Sequence, residues 1–151
     1  MASIVKVMSR DPLMNRIQDN VRDTVNPLVA DVAATRSTMA QASAVQVVQH
    51  TASGGIAFDA SSASHFVVTL GANATSSTLN GVATGQVLTF VIKQDASGSR
   101  TFAWPARVNG NPKTEVRGEG TIGSTANTAS VQRFVFDGST LWALGAILTG
   151  I

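Results

Sequence analysis

Two periods divide the chain. Up to residue 43, apolar or small residues recur at Met14, Ile17, Val21, Val25, Leu28, Val32, Thr35, Met39 and Ala42. The steps average 3.5 residues, the spacing of a coiled-coil seam with one stutter. Arg16, Gln18, Asp19, Asn20, Arg22, Asp23, Asp31 and Arg36 lie between them and face water or a neighbouring protein. Asp11-Pro12 reads as a helix start, because Asp caps free amides and Pro fits the first turn. Pro27 removes a backbone donor and restricts Asn26, which predicts two helices, 12–25 and 28–42, with Asn26 capping the second. The stripe is narrow, as a helix–helix seam is; an amphipathic helix packed on its own β domain is the alternative.

Beyond Ala44 the period falls towards two. Val45–His50, Gly55–Asp59, His65–Leu70, Ser77–Leu79, Gln86–Gln94, Arg100–Trp104, Ser130–Asp137 and Thr140–Leu148 read as strands. Ser53-Gly54-Gly55, Gly71-Ala-Asn73, Asn80-Gly81, Asp95-Ala-Ser-Gly98 and Asp137-Gly138-Ser139 separate them as hairpin or loop signals, since Gly, Asn and Asp tolerate positive φ. The run Val87–Ile92 predicts a central strand buried on both faces. Pro105, Gly110, Pro112, Gly118, Gly120 and Gly123 make residues 105–129 a long connection or an arm onto a neighbour. The fold expected is mainly β: an extended segment 1–11, a helical or coiled-coil segment 12–43, and a jelly-roll-like β-sandwich 44–151.

Composition sharpens this picture. Charged residues are 13% of the chain, about half the usual ~25%. So few charges suit a surface partly covered by partner chains. The sequence pI of about 9.7 accompanies a net charge of only +2. Eight of the eleven cations are Arg, scattered singly from Arg10 to Arg133, which speaks against a nucleic-acid footprint. The absence of Cys rules out disulfides and thiolate metal sites. No window reaches the ~18 apolar residues of a membrane span, so a soluble chain made in the cytoplasm is expected.

Catalytic chemistry finds no constellation. His50 and His65 lack Cys, Asp or Glu neighbours at ligand spacing, so surface or inter-subunit positions are expected and no metal or other cofactor. Asp19 and Asp23 share a helical face beside Arg16 and Arg22, as solvated flanks do. Asp59 with Ser61-Ser62 reads as a capped turn rather than a hydrolase site, because no nucleophile elbow accompanies it. Glu115 and Glu119 flank Arg117 as a loop ion pair. Trp104 and Trp142 are expected as core anchors at strand ends.

The order Phe58-Asp-Ala-Ser, Phe66-Val-Val-Thr-Leu70, Val87-Leu-Thr-Phe-Val-Ile-Lys-Gln-Asp95, Gly98-Ser-Arg-Thr-Phe-Ala-Trp104-Pro105 and Phe134-Val-Phe-Asp-Gly-Ser-Thr-Leu-Trp142 resembles a β module of tailed-bacteriophage tail-fibre and other appendage proteins. The resemblance spans residues 55–148, about 60% of the chain, and Val108–Pro112 departs from it by lacking a second aromatic. It implies a trimeric module with mechanical or adhesive work.

Together these readings predict a non-enzymatic virion structural protein: a short collar, head or tail fibre, a capsid decoration protein or an adaptor. Met14, Ile17, Val21, Val25, Leu28, Val32 and Met39 would hold a homotrimer. Ile4, Val5, Val7 and Met8 would dock on a portal, collar, capsid or tail protein. The runner-up is an adhesin whose end loops recognise a host-surface glycan or protein; a depolymerase is a distant third.

Overall fold

A computed structural model describes residues 12–110 and 116–151; within the helix, side chains are described for 16–20 and 22–36. The docking residues Ile4, Val5, Val7 and Met8 lie outside the described residues, as do the side chains of Met14, Val21 and Met39. Two compact units share the chain, Met1–Met39 and Ala40–Ile151.

The first unit is built on one helix, α1, Pro12–Ser43. Pro27 lies inside it, so the expected break at Asn26-Pro27 does not occur. Pro27 has no N–H for the Asp23 carbonyl, but Asp23 is exposed and water can take that acceptor. The helix therefore carries the described stripe residues Ile17, Val25, Leu28 and Val32 on one unbroken element.

The second unit is mainly β. Its elements are β1 Val45–His50, β2 Gly54–Asp59, β3 His65–Leu70, β4 Ala74–Asn80, β5 Val87–Gln94, β6 Arg107–Val108, β7 Val116–Arg117, β8 Ala129–Phe136, β9 Leu141–Ala143 and β10 Leu148–Thr149. They form a seven-stranded sheet, β1-β3-β5-β8-β9-β7 with β10 on β8, and a three-stranded sheet, β2-β4-β6. β1, β3 and β5 run parallel, and so do β2, β4 and β6.

Strands β1 to β6 thus alternate between sheets, as in a β-solenoid, each coil stacking on the one before, and the antiparallel β8 then joins the larger sheet beside β5. This corrects the jelly roll, which needs antiparallel neighbours. The Gly- and Asn-rich segments read as hairpins are mostly corners that carry the chain from one sheet to the other. One is a true hairpin: Asp137–Ser139 joins antiparallel β8 and β9, pairing Phe136 with Leu141 and Phe134 with Ala143. The expected strand Arg100–Trp104 reduces to one bridge, Phe102 to Ala74. The 105–129 connection contains β6 and β7.

The core fills the space between the sheets. Inward rows run Phe66–Phe90–Gln132 and Val68–Ile92–Ser130 across β3, β5 and β8. Ile56 and Phe58 of β2 and Leu79 of β4 are buried with them. Phe58 contacts Phe66 and Phe90 at 5.0 and 5.2 Å between ring centres, and Phe90 meets Trp104 edge-on at 5.6 Å. Such edge contacts add to the burial of the rings themselves. β5 is central in its sheet but not buried on both faces: Leu88, Phe90, Ile92 and Gln94 are buried, while Val87 and Lys93 are exposed.

Polar side chains hold the irregular connections. The buried Gln94 donates to the Arg100 and Gly123 carbonyls (2.9 and 2.8 Å) and accepts from the Arg100 N–H at 2.9 Å. Trp104 donates to the Gly120 carbonyl at 2.9 Å. At the other end β1 and β2 are the outermost strands of their sheets, and their one charged residue is Asp59.

Candidate assembly surfaces

On α1 the described seam residues Ile17, Val25, Leu28 and Val32 are all solvent-exposed, at 44–59%. Leu28, Val29, Val32 and Ala33 line an apolar groove beside Arg36. An exposed single helix gains little from propensity alone, so a stripe of this length needs a partner to be worth its exposure. Asp19 pairs with Arg22 at 3.8 Å in water, an arrangement that contributes little stability and no chemistry.

The second surface is the outward face of the seven-stranded sheet. The register places Val47, Val67, Val91 and Val131 in one row across β1, β3, β5 and β8, with Leu148 of β10 beyond. Val87, Val135 and Trp142 make another row. Val47 is 63% exposed and Leu148 60%. Flanking rows are polar: Val45–His65–Thr89–Arg133 on one side and Gln49–Thr69–Lys93–Ala129 on the other. The run Val87–Ile92 that suggested a doubly buried strand contributes Val87, Thr89 and Val91 to this face and buries only Leu88, Phe90 and Ile92.

Three aspartates organise corners with one local pattern, Asp-x-Ser, at Asp59, Asp95 and Asp137. Asp59 accepts from the Ser61 N–H and hydroxyl, at 2.9 and 2.5 Å. Asp95 takes the Ser97 and Gly98 N–H groups and pairs with Arg100 at 2.8 Å. Asp137 takes the Ser139 and Thr140 N–H groups, and the Trp142 indole N–H at 2.7 Å. These donors hold all three carboxyls below the usual range: chiefly the Ser61 hydroxyl for Asp59, Arg100 for Asp95 and the Trp142 indole for Asp137. Their role is folding, and the pattern was readable as a threefold recurrence.

The tryptophans part company. Trp104 packs on the core as expected, whereas Trp142 is exposed and is held through Asp137. His50 is buried, facing the Asn73 carbonyl at 3.2 Å, rather than at the surface. Among the described residues no group of three His, Cys, Asp or Glu could hold a metal ion, and no helix is long and apolar enough to cross a membrane. Glu115 lies outside the described residues, and Glu119 is exposed. A groove of about 470 Å³ opens between Arg100, Phe102 and Trp104 on one side and Glu119–Ile122 on the other.

Set against known proteins, the chain matches no family model, no curated protein and no solved structure.

Proposed function

We propose that the chain is a homotrimeric, non-enzymatic structural protein of a bacteriophage particle, attached through its N-terminal segment and displaying its β unit. The observation that carries the assembly part is the uninterrupted helix with Ile17, Val25, Leu28 and Val32 open to water. Side chains at that spacing are buried when like helices meet in a coiled coil. The phage part rests on the resemblance of residues 55–148, whose turns and aromatics have folding roles here: Asp137-Gly138 forms a hairpin and Trp104 packs on the core.

Sedimentation of the full chain at micromolar concentration is expected to give a trimer; a monomer overturns the assembly part. Deleting residues 2–10 is expected to leave the trimer and its melting temperature intact while abolishing incorporation into particles. Incorporation at normal copy number would put the anchor elsewhere. A second reading, a receptor-binding adhesin, is favoured by the groove lined by Phe102, Trp104 and the charged Glu119. Isolated protein that binds host cells and competes with infection would select it.

A further inference from the structure

The outward face of the seven-stranded sheet belongs to neither the core nor the helical seam. Its central row is Val47–Val67–Val91–Val131. Among the outward residues of β1, β3, β5 and β8 the only full charges are Lys93 and Arg133, one in each flanking row, and there is no carboxylate. We propose that this face packs against the same face of neighbouring copies of the chain, a second interface that rests on the homo-oligomer reading above.

Size selects the occupant. Strands of six residues at ~3.3 Å per residue, four abreast at ~4.8 Å, make a face of roughly 400 Å². That is about half of the ~800 Å² per partner that a specific complex buries. A separate protein in solution finds too little area there. A copy already held by its helix needs far less, because tethering raises its local concentration to about the millimolar range.

Connectivity points the same way. Only Ala44 separates the end of α1 from the start of β1 in the chain. Helices in a seam lie about 8–10 Å apart, so the β1 strands of the copies begin close together. The valine row starts at β1, which is the outermost strand of its sheet.

The chemistry of the face suits packing on its own kind. Val and Thr are stiff at χ1 and lose little rotamer freedom when covered. Lys93 lies in the end row of the face, so its long stem can reach water at the rim of the contact, while Arg133 stands between the valine row and the Val87–Val135–Trp142 row. The valine row itself carries no charge, as the buried centre of an interface ordinarily does not.

The chain has no Cys, so single cysteines can be placed without interference. Val47→Cys, Val67→Cys and Val91→Cys, each in the full chain, are treated with a short bis-maleimide. Ser76→Cys, exposed on β4 of the other sheet, is the control. The expected result is inter-chain cross-linking at one or more of the three valine positions above the control, at a yield independent of protein concentration. In parallel, Val47→Glu with Val91→Glu is expected to weaken the oligomer about tenfold or more, since two carboxylates would be buried without partners. Both side chains point away from the core, so the β-sheet circular dichroism should not change. An oligomer that shows neither cross-linking above control nor weakening overturns this inference alone. A wild-type chain that sediments as a monomer overturns the oligomer reading and this inference together.

Discussion

The helix and the β unit solve opposite problems. The β unit contains its own partner surfaces: two sheets face each other, and Phe58, Phe66, Phe90 and Phe134 are almost wholly buried between them. The helix has no such enclosure, with every described side chain from 16 to 20 and from 22 to 36 exposed. One unit draws its stability from within a single chain. The other would acquire it on meeting more chains, as the trimer proposed above requires. A sequence can carry equally regular apolar spacing in both cases, so spacing alone does not say whether the partner is internal.

The sharpest way to break this contrast is to charge the seam. Leu28→Glu with Val32→Glu is expected to convert the trimer to monomer and to remove much of the helical circular dichroism. The β-unit transition should shift by less than about 1 kcal/mol, as distant sites do. A β unit that unfolded with the helix would show that the two share one stability. The converse substitution, Phe90→Ala, is expected to destabilise the β unit by about 3–5 kcal/mol in chemical denaturation, the usual cost of emptying an aromatic core site. The same variant should keep its trimeric mass below the melting point.

A smaller loss is expected at the Asp95 corner. Gly98 has φ +65°, and a Cβ there would lie 2.7 Å from the Ala126 nitrogen and the Ser124 carbonyl oxygen. Gly98→Ala should therefore cost about 1–3 kcal/mol, read from the same denaturation curves and confined to the β unit. The smallest effect is acid sensitivity. Asp59, Asp95 and Asp137 are held below their usual range, so they stabilise the folded state above the unfolded value near pH 4 and lose that contribution as pH falls through their folded values. The β-unit melting temperature should stay level from neutral pH to about 5 and fall below about 4. In Asp137→Asn that acid limb should be shallower, and an unchanged slope would remove Asp137 from the account.

Much of the β unit was legible as faces and little of it as partners. β1 and β3 begin and end where the alternation does, because a strand half buried in a sheet alternates whichever neighbour it has. The same alternation is satisfied by antiparallel and by parallel neighbours, so the jelly roll and the stacked coils were equivalent readings of it. What separates them is long-range: Val45 pairs with His65, and His65 with Thr89. Nothing local encodes that.

The valine face was visible but assigned to the interior, since an apolar strand buried on both faces and one exposed to a future partner have the same composition. Pro27 was over-read because its missing donor matters less where its acceptor can meet water. The helical seam was legible as a spacing, with Ile17, Val25, Leu28 and Val32 as its described members. The Asp-x-Ser corners were seen singly, and only their common geometry shows that they do the same job.

The outermost coil has a kinetic consequence. β1, Val-Gln-Val-Val-Gln-His, ends its sheet with no proline, no bulge and no lysine or glutamate to repel another strand. Such an edge is a template: it offers unpaired amides and carbonyls to any extended segment, including the same segment of a nascent chain. In the trimer proposed above, association through the helix then races against edge-to-edge misassembly. Rapid helix pairing is favoured not only because it stabilises the product but because it shortens the time during which that template stands open.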